Sequence, residues 1–294
     1  MKPVVPIVAL FCSLASAAHA ELLSEALLAF PAQTTAFEYD ALSTLRALPN
    51  YKDLRKQYSG EGLQRAQRDL LLLGVSEDQL TEVVTAAGPN GFFGLLSGSF
   101  QSAAAAKEAA QNGMAQTTLD AGPAFCSKDG NCFLLPSSEE GHILFGTLGQ
   151  LKAISDVRQS RAQSLRGNAI VMDLVSRTDS RAPVLGIAPG SEIGLWVGDS
   201  IPQALSSRID MTKLFSTIES FAYSVKLDSK AHVGLNLFCS SDQAGVVIKD
   251  ALSAASGLQR AAAVAAGSSA LGFNNMVVSS NGRMVAVNLD APIQ

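Results

Sequence analysis

The feature that most constrains the fold is a succession of predicted elements that occurs twice along the chain. In the first half it runs through a strand (TTAFEYD), a helical segment, two strands (TEVVTAAG and GFFGLLSGSF), a helix (QSAAAAKEAAQNG) and a strand (HILFGT). In the second half it runs through EIGLWVG, a helical segment at 202–217, SFAYSVKL, HVGLNLFCS, a helix (DQAGVVIKDALSAAS) and a hairpin (NNMVVSSNGRMVAVNL). The same types of element in the same order predict an internal duplication.

Each half has the order β-α-β-β-α-β with an extra hairpin strand, which is the order of the ferredoxin-like fold. We therefore expect an α+β protein of two ferredoxin-like units, with antiparallel sheets and helices packed on one face. A chain of 294 residues is long enough for two domains of roughly 100 to 200 residues each. We expect the units to span 21–165 and 166–294, with the linker between 164 and 189 and the late helix ending at Gly257.

The first twenty residues have the composition of a secretory signal peptide. Lys2 provides a basic start, residues 4–18 are apolar or small, and Ala18-His19-Ala20 is an A-x-A cleavage pattern. We expect cleavage before Glu21; an uncleaved anchor or a buried N-terminal helix is the alternative. No later segment has the ~18 uninterrupted apolar residues that a membrane-spanning helix needs, so we expect no transmembrane segment in the mature chain.

Cleavage would leave three cysteines, Cys126, Cys132 and Cys239. The stretch PAFCSKDGNCFLL predicts a hairpin with a three-residue loop, in which Cys126 lies opposite Cys132 at a non-hydrogen-bonded pair with Cα atoms ~4.5 Å apart. In an oxidising compartment we expect these two to form a disulfide, although free thiols or half of a metal site remain alternatives. Cys239 is expected to be a small buried core residue.

The second half helps to interpret the cysteine pair. When Gly130 is aligned with Gly282, the positions of Cys126 and Cys132 correspond to Val278 and Met284. An apolar pair at the equivalent positions of the repeat predicts a structural bridge rather than redox chemistry.

Several segments resemble a known group of proteins: FPAQTTAFEYD, LGVSEDQLTEVVTAAG, GFFGLLSGSF, GHILFGTLGQLKAISDVRQ and SFAYSVKLD. Taken together they are similar to uncharacterised exported bacterial proteins built from paired α+β units, and the similarity extends over most of the mature chain. The resemblance implies the fold and the exported location. It implies no activity, because no catalytic or binding residues are assigned in that group.

Residues with catalytic potential are few in this sequence. Ser97 lies in Gly94-Leu95-Leu96-Ser97-Gly98, which does not have the G-x-S-x-G spacing of a nucleophile elbow. His142 and His232 each lie at a strand entrance, without a carboxylate at a spacing that predicts a catalytic dyad. Gly146-Thr147-Leu148-Gly149 lies at a strand-to-helix turn but lacks the glycines and lysine of nucleotide-binding motifs. We therefore predict no catalytic, metal-binding or cofactor-binding residues, and no cofactor.

The charge pattern restricts the partners. The formal net charge is −4 and no run of Lys or Arg occurs, so a nucleic-acid partner is not expected. We expect an exported, non-enzymatic binding or assembly protein, periplasmic or secreted, whose partner is another protein or an apolar small molecule. The alternatives are an exported hydrolase whose site, drawn from Ser97, His142 and His232, assembles only in three dimensions, and a structural component of the cell envelope.

Overall fold

The structure, a computed structural model, describes residues 21–49, 51–52, 68–136, 142–193, 211–228, 230–265 and 276–292. The chain divides into two compact units, Met1–Ala169 and Ile170–Gln294. Both contain helices and antiparallel strands, so the predicted α+β class is confirmed. Within the described residues, no helix is both long enough and apolar enough to cross a membrane.

Unit 1 contains seven strands among its described residues, with helices before, between and after them. The described part of helix α1 covers residues 21–29. The other elements, in chain order, are β1 (Ala36–Asp40), α2 (Leu42–Leu45), β2 (Leu80–Gly88), β3 (Gly91–Gly98), α3 (Ser102–Gln111), β4 (Ala115–Leu119), β5 (Gly122–Cys126), β6 (Cys132–Leu134), β7 (Ile143–Gly146) and α4 (Leu148–Arg158). Short 3-10 turns cover Leu71–Leu73, Glu77–Gln79 and Leu165–Gly167.

The strand order in unit 1 is β1-β2-β3-β7-β6-β5-β4, and each neighbouring pair is antiparallel. The ferredoxin-like order is not confirmed. A split βαβ unit has its two strands parallel, with another strand between them, whereas β1 pairs directly with β2 in antiparallel orientation. After β1, the chain therefore returns to form β2 directly beside it.

Helices cover both faces of this sheet, which corrects the expectation of helices on one face. Successive residues of a strand point to opposite faces. On β3, Leu96 belongs to a buried cluster with Ala105 and Ala109 of α3. Phe93 points to the other face, where its ring meets that of Phe30, which follows α1, at a centroid distance of 5.0 Å. Because both faces are buried, β2 and β3 carry near-continuous apolar runs.

Unit 2 contains α5 (Ala169–Arg177, whose first residue closes unit 1), β8 (Val184–Pro189), a 3-10 turn (Gly190–Glu192), α6 (Met211–Phe215), β9 (Ile218–Leu227), β10 (Lys230–Cys239), α7 (Asp242–Ala265), β11 (Val277–Asn281) and β12 (Met284–Pro292). The strand order is β8-β9-β10-β12-β11, again antiparallel. Helix α7 packs against β10, β11 and β12.

Three boundaries in the second half differ from the sequence prediction. The expected linker at 164–189 contains β8, a strand in which Leu185 and Ile187 are buried. The predicted strand EIGLWVG starts at Glu192, but Glu192 ends a 3-10 turn. Residues 194–198 of that segment lie outside the described residues. Helix α7 continues through Gly257 to Ala265, because the Ala-rich segment that follows favours a helix strongly enough to tolerate one glycine.

Candidate functional site

An open groove of about 540 Å³ lies in unit 1 between α1 and the C-terminal end of α4. One wall is formed by Glu25, Leu28 and Ala29 of α1. The other is formed by the end of α4 and the segment that follows it, with Val157, Arg158, Ser160, Ala162 and Ser164. The lining is therefore partly apolar and partly polar.

The wall formed by α1 follows from the amphipathic pattern of its sequence. Leu22, Leu23, Ala26 and Leu27 are buried, as expected for apolar residues at i, i+1, i+4 and i+5 on one helical face. Leu28 lies off this face and 48% of its surface is exposed, a large value for a leucine. The groove thus has an apolar side chain that the core does not use.

The opposite wall is held in place by local hydrogen bonds. Ser160, after the end of α4, has the left-handed backbone conformation (φ 59°) typical of the residue that terminates a helix. The amides of Arg161 and Ala162 both donate to the carbonyl of Asp156, at 2.8 and 3.2 Å. The Arg161 guanidinium also pairs with the carboxylates of Asp156 and Asp120. These contacts fix the segment that lines the groove.

Glu25 links the two walls of the groove to the sheet. One carboxylate oxygen pairs with Nη2 of Arg158 at the end of α4, and the other with Nδ1 of His142, just before β7. Burial alone would raise the pKa of Glu25, but the hydrogen bond and charge of His142, together with the charge of Arg158, hold it below its usual value. The hydrogen bond that His142 donates to Glu25 raises the pKa of His142, and burial acts against this.

A second buried polar pair lies on the neighbouring strands. The hydroxyl of Tyr39 on β1 donates to Oε1 of Glu82 on β2 at 2.7 Å, and both residues are buried. Burial and this hydrogen bond raise the pKa of Tyr39. The carboxylate of Glu82 also contributes to the raised pKa of His142, so the two pairs act on each other electrostatically.

Both histidines pair with carboxylates, although the sequence showed no spacing that predicts a catalytic dyad. His142 pairs with Glu25, which is 117 positions away in the sequence. His232 on β10 pairs with Asp290 of β12 at 2.7 Å and with Asp228 at 3.1 Å. The Asp290 contact follows from the antiparallel register, which places the two residues directly opposite each other. Spacing along the chain does not reveal such partners.

Ser97 lies close to His142 in the sheet. The β3–β7 register pairs Leu96 with Ile143 and, continued by one residue, places Ser97 opposite His142. The Ser97 hydroxyl accepts a 3.4 Å hydrogen bond from Thr81. No hydrogen bond joins Ser97 to His142 in the described part of the chain. A nucleophile and a base therefore lie on one face without the contact that would couple them.

The disulfide between Cys126 and Cys132 is confirmed, with Cα atoms 4.0 Å apart. The two cysteines pair directly across β5 and β6, and Ser127 N donates to Asn131 O around a three-residue loop in which Gly130 has a positive φ. The buried carboxylate of Asp69 accepts hydrogen bonds from the Ser127 hydroxyl and the Asn131 amide at 3.1 and 2.5 Å. Cys239 is free and fully buried.

The proposed correspondence of the cysteines with Val278 and Met284 does not describe a cross-strand pair. In the late hairpin, Val278 lies opposite Val287 and Met284 lies opposite Asn281. The loop there has two residues, Gly282 and Arg283, instead of three, so aligning the glycines shifts the register.

Other candidates have structural roles or lie outside the described residues. The N-terminus of α4 at Thr147 is closed by a capping box with Gln150, which uses two of the amides that would bind a phosphate. The adjacent Glu139 and Glu140, which the sequence favours as a charged turn over a paired acid and base, lie outside the described residues. In the part of the chain that the structure describes, no group of three or more His, Cys, Asp or Glu side chains has the arrangement of a metal site.

These observations define the class of the protein as a mixed α+β protein with antiparallel strands and an open groove in unit 1. No family model and no curated protein matches the chain. Crystal form I of TP0453, a Treponema protein, matches with a TM-score of 0.51 at 11% identity, over 92% of both chains. This similarity shows a shared fold. Crystal forms III and IV align with TM-scores of 0.44 and 0.46, at 11% and 12% identity, over 90% of this chain and 93% and 92% of those chains.

Proposed function

We propose that the protein is an exported, non-enzymatic binding protein of the cell envelope or extracellular space, and that the groove of unit 1 holds its ligand. The observation that carries this proposal is the groove itself. Its volume of about 540 Å³ lies within the range of roughly 300 to 1,000 Å³ that is usual for ligand sites. Its two walls are tied together by the contact of Glu25 with Arg158, and preformed walls reduce the entropic cost of binding.

Two features support export. Residues 18–20 have the A-x-A pattern of a signal-peptide cleavage site, and the Cys126–Cys132 disulfide is of a kind that persists in oxidising compartments. Cleavage before Glu21 would leave Leu22, Leu23, Ala26 and Leu27, the buried side chains of α1 described above, in the mature chain.

Site-specific photocross-linking in the native host tests the binding function. The photoreactive residue benzoylphenylalanine replaces Ala162, which is exposed in the groove, and in a control chain it replaces Ala254, which is exposed on α7. We expect adducts of defined mass at position 162 that are missing at position 254. Equal labelling at both positions, or no adduct at 162 in a chain of normal thermal stability, would contradict a ligand site in the groove.

A hydrolase is the second candidate, and the His142–Glu25 pair is the observation that favours it, because a carboxylate orients the histidine of many nucleophilic sites. The register places Ser97 beside that histidine. A fluorophosphonate probe, which labels activated serines, distinguishes the two functions. Labelling of the wild-type chain that is lost in both Ser97→Ala and His142→Gln variants would establish the hydrolase and contradict the binding proposal.

We also infer that the two units are copies of one arrangement. In unit 1 the strands β1, β2 and β3 lie side by side and β7 lies next to β3; in unit 2 the strands β8, β9 and β10 lie side by side and β12 lies next to β10. A helix, α3 or α7, follows the third strand in each unit. The inference predicts that an experimental structure of each unit superposes β1-β2-β3-β7 on β8-β9-β10-β12 in this order. A match only in another strand order would contradict it.

A further inference from the structure

The groove of unit 1 has no net formal charge, and this restricts the ligands that it favours. Its charged side chains are Glu25 and Arg158, which pair with each other. The second oxygen of Glu25 is taken by His142. An ionic ligand would have to compete with these contacts, so the remaining capacity of the groove lies in neutral hydrogen bonds and apolar surface.

The groove offers hydrogen-bond donors that no described residue uses. A guanidinium has five N–H groups, and among the described residues Arg158 donates one hydrogen bond, to Glu25. The hydroxyls of Ser160 and Ser164 also line the groove, and no hydrogen bond within the described ranges involves them. A ligand that carries carbonyl oxygens would find partners on this wall.

Acceptors lie on the same groove because two helices end there. The last carbonyls of an α-helix have no partner within the helix, which applies to Leu28 in α1 and to Arg158 in α4, two exposed residues that line the groove. The partial negative charge of both helix ends disfavours an added anion. The guanidinium of Arg158 in turn disfavours an added cation. A neutral ligand with N–H groups avoids both penalties.

The third property is exposed apolar surface in the same groove. It is provided by Leu28, of which 48% of the surface is exposed, and by the exposed Ala162. Burying the exposed part of one leucine against an aliphatic side chain is worth on the order of a tenfold change in affinity.

We propose that the ligand of this groove is an extended, uncharged peptide segment of a partner protein. Its main-chain carbonyls accept from Arg158 and the two serines, its main-chain amides donate to the carbonyls at the helix ends, and an apolar side chain packs on Leu28. A peptide main chain is the common ligand that presents donors and acceptors together without charge. This inference rests on the proposed binding function and specifies its ligand.

The test uses the mature chain, residues 21–294, labelled with ¹⁵N, and the probe acetyl-Ala-Leu-Ala-N-methylamide. We expect chemical-shift changes concentrated at residues 28–29 and 158–164. The matched control peptide has the same side chains with its amide nitrogens methylated, which removes the N–H donors. It should bind at least about tenfold more weakly, the equivalent of one lost hydrogen bond of about 1.4 kcal/mol. Octanoate and hexylamine serve as anionic and cationic controls.

Variants locate the contacts of the probe. Leu28→Ala and Arg158→Gln should each weaken binding of the neutral peptide by about three- to tenfold. Leu148→Ala, which removes an equally exposed leucine at the opposite end of α4, should leave the affinity unchanged. Thermal unfolding of each variant controls for loss of structure.

The outcomes separate this inference from the proposed function. Tighter binding of octanoate or hexylamine than of the peptide, or equal binding of the methylated peptide, would overturn the peptide ligand. The same holds if the adduct at position 162 in the cross-linking experiment has the mass of a small molecule or lipid, and in that case the binding function stands. Absence of any adduct would remove both.

Discussion

At the scale of single residues, the carboxylate of Glu25 connects three elements of unit 1. It joins α1 to His142 before β7 and to Arg158 at the end of α4, residues that lie 117 and 133 positions further along the chain. Without these contacts α1 would be held mainly by its apolar face. The groove depends on them because α1 forms one of its walls.

The stability contributed by His142 should depend on pH. Its pKa is raised above 6.5, so its contribution is fully present below 6.5 and is lost as the pH rises through the raised value. The pKa of Glu25 is lowered below 4.5, so its contribution is present above 4.5 and is lost as the pH falls through the lowered value. Both contributions are therefore complete between about pH 4.5 and 6.5.

We predict that His142→Gln lowers the free energy of unfolding by about 1 kcal/mol at pH 5.5, and by much less at pH 8.5. Glutamine retains a hydrogen-bond donor but does not titrate. Urea unfolding at the two pH values measures the difference. His232→Gln, in the more exposed pair with Asp290, is the control and should show a smaller dependence on pH. A loss that is the same at both pH values would contradict the prediction.

The disulfide gives a second prediction at this scale. It closes a short loop, because its cysteines are only six positions apart, so its entropic contribution should be about 2 kcal/mol. Reduction should lower the urea midpoint without unfolding the protein, because Asp69 also holds the loop and Phe125 and Phe133 stay buried. The Cys126→Ser/Cys132→Ser double variant should not respond to the reductant. Complete unfolding on reduction would show that the bridge is essential.

At the scale of elements, α7 shows how the same residue type has different roles in one helix. A Cβ atom on Gly245 would lie 2.6 Å from the carbonyl oxygen of Gly282, in the turn between β11 and β12. A Cβ atom on Gly257 would have no atom within 4 Å. The first glycine allows close packing of the helix on the hairpin, whereas the second only lowers the helix propensity.

We predict opposite effects for alanine at these two positions. Gly245→Ala should destabilise the protein by about 1 to 3 kcal/mol, because the helix and the hairpin must separate. Gly257→Ala should stabilise it by about 0.5 to 1 kcal/mol, because alanine restricts the unfolded chain and favours the helix. Denaturant unfolding of the two variants, side by side, measures both changes. The same sign for both would show that the contact at Gly245 does not limit the packing.

At the scale of the whole molecule, export is the property on which the functional proposal depends. We predict that protein recovered from the envelope or medium of its native host lacks residues 1–20. After denaturation without reductant, an alkylating reagent should modify one thiol, that of Cys239; after reduction it should modify three. Intact mass measures both properties. A full-length chain with four reactive thiols before reduction, Cys12 included, would contradict export.

Much of the succession of helices and strands, and the pairing of Cys126 with Cys132, were determined by the sequence alone. These features depend on residues close together in the chain: alternation in β9 and β10, helix-forming alanines in α3, and a glycine at the turn of the cysteine hairpin. The sequence also favours a helix over 168–177, and the structure has one at Ala169–Arg177, whereas β8 was missed because its short apolar run lies among turn residues.

The order of the strands and the candidate site were decided by the tertiary structure. The ferredoxin-like strand order and the observed order can both arise from one succession of elements. They differ in which strands pair, and that pairing depends on packing between segments that are far apart in the chain. For the same reason no spacing rule connects Glu25 with His142 and Arg158. The groove is formed because Phe30 packs on Phe93 and holds α1 on the face of the sheet where α4 ends. The local sequence therefore determines the helices that form the walls, and burial between distant residues determines where these helices lie.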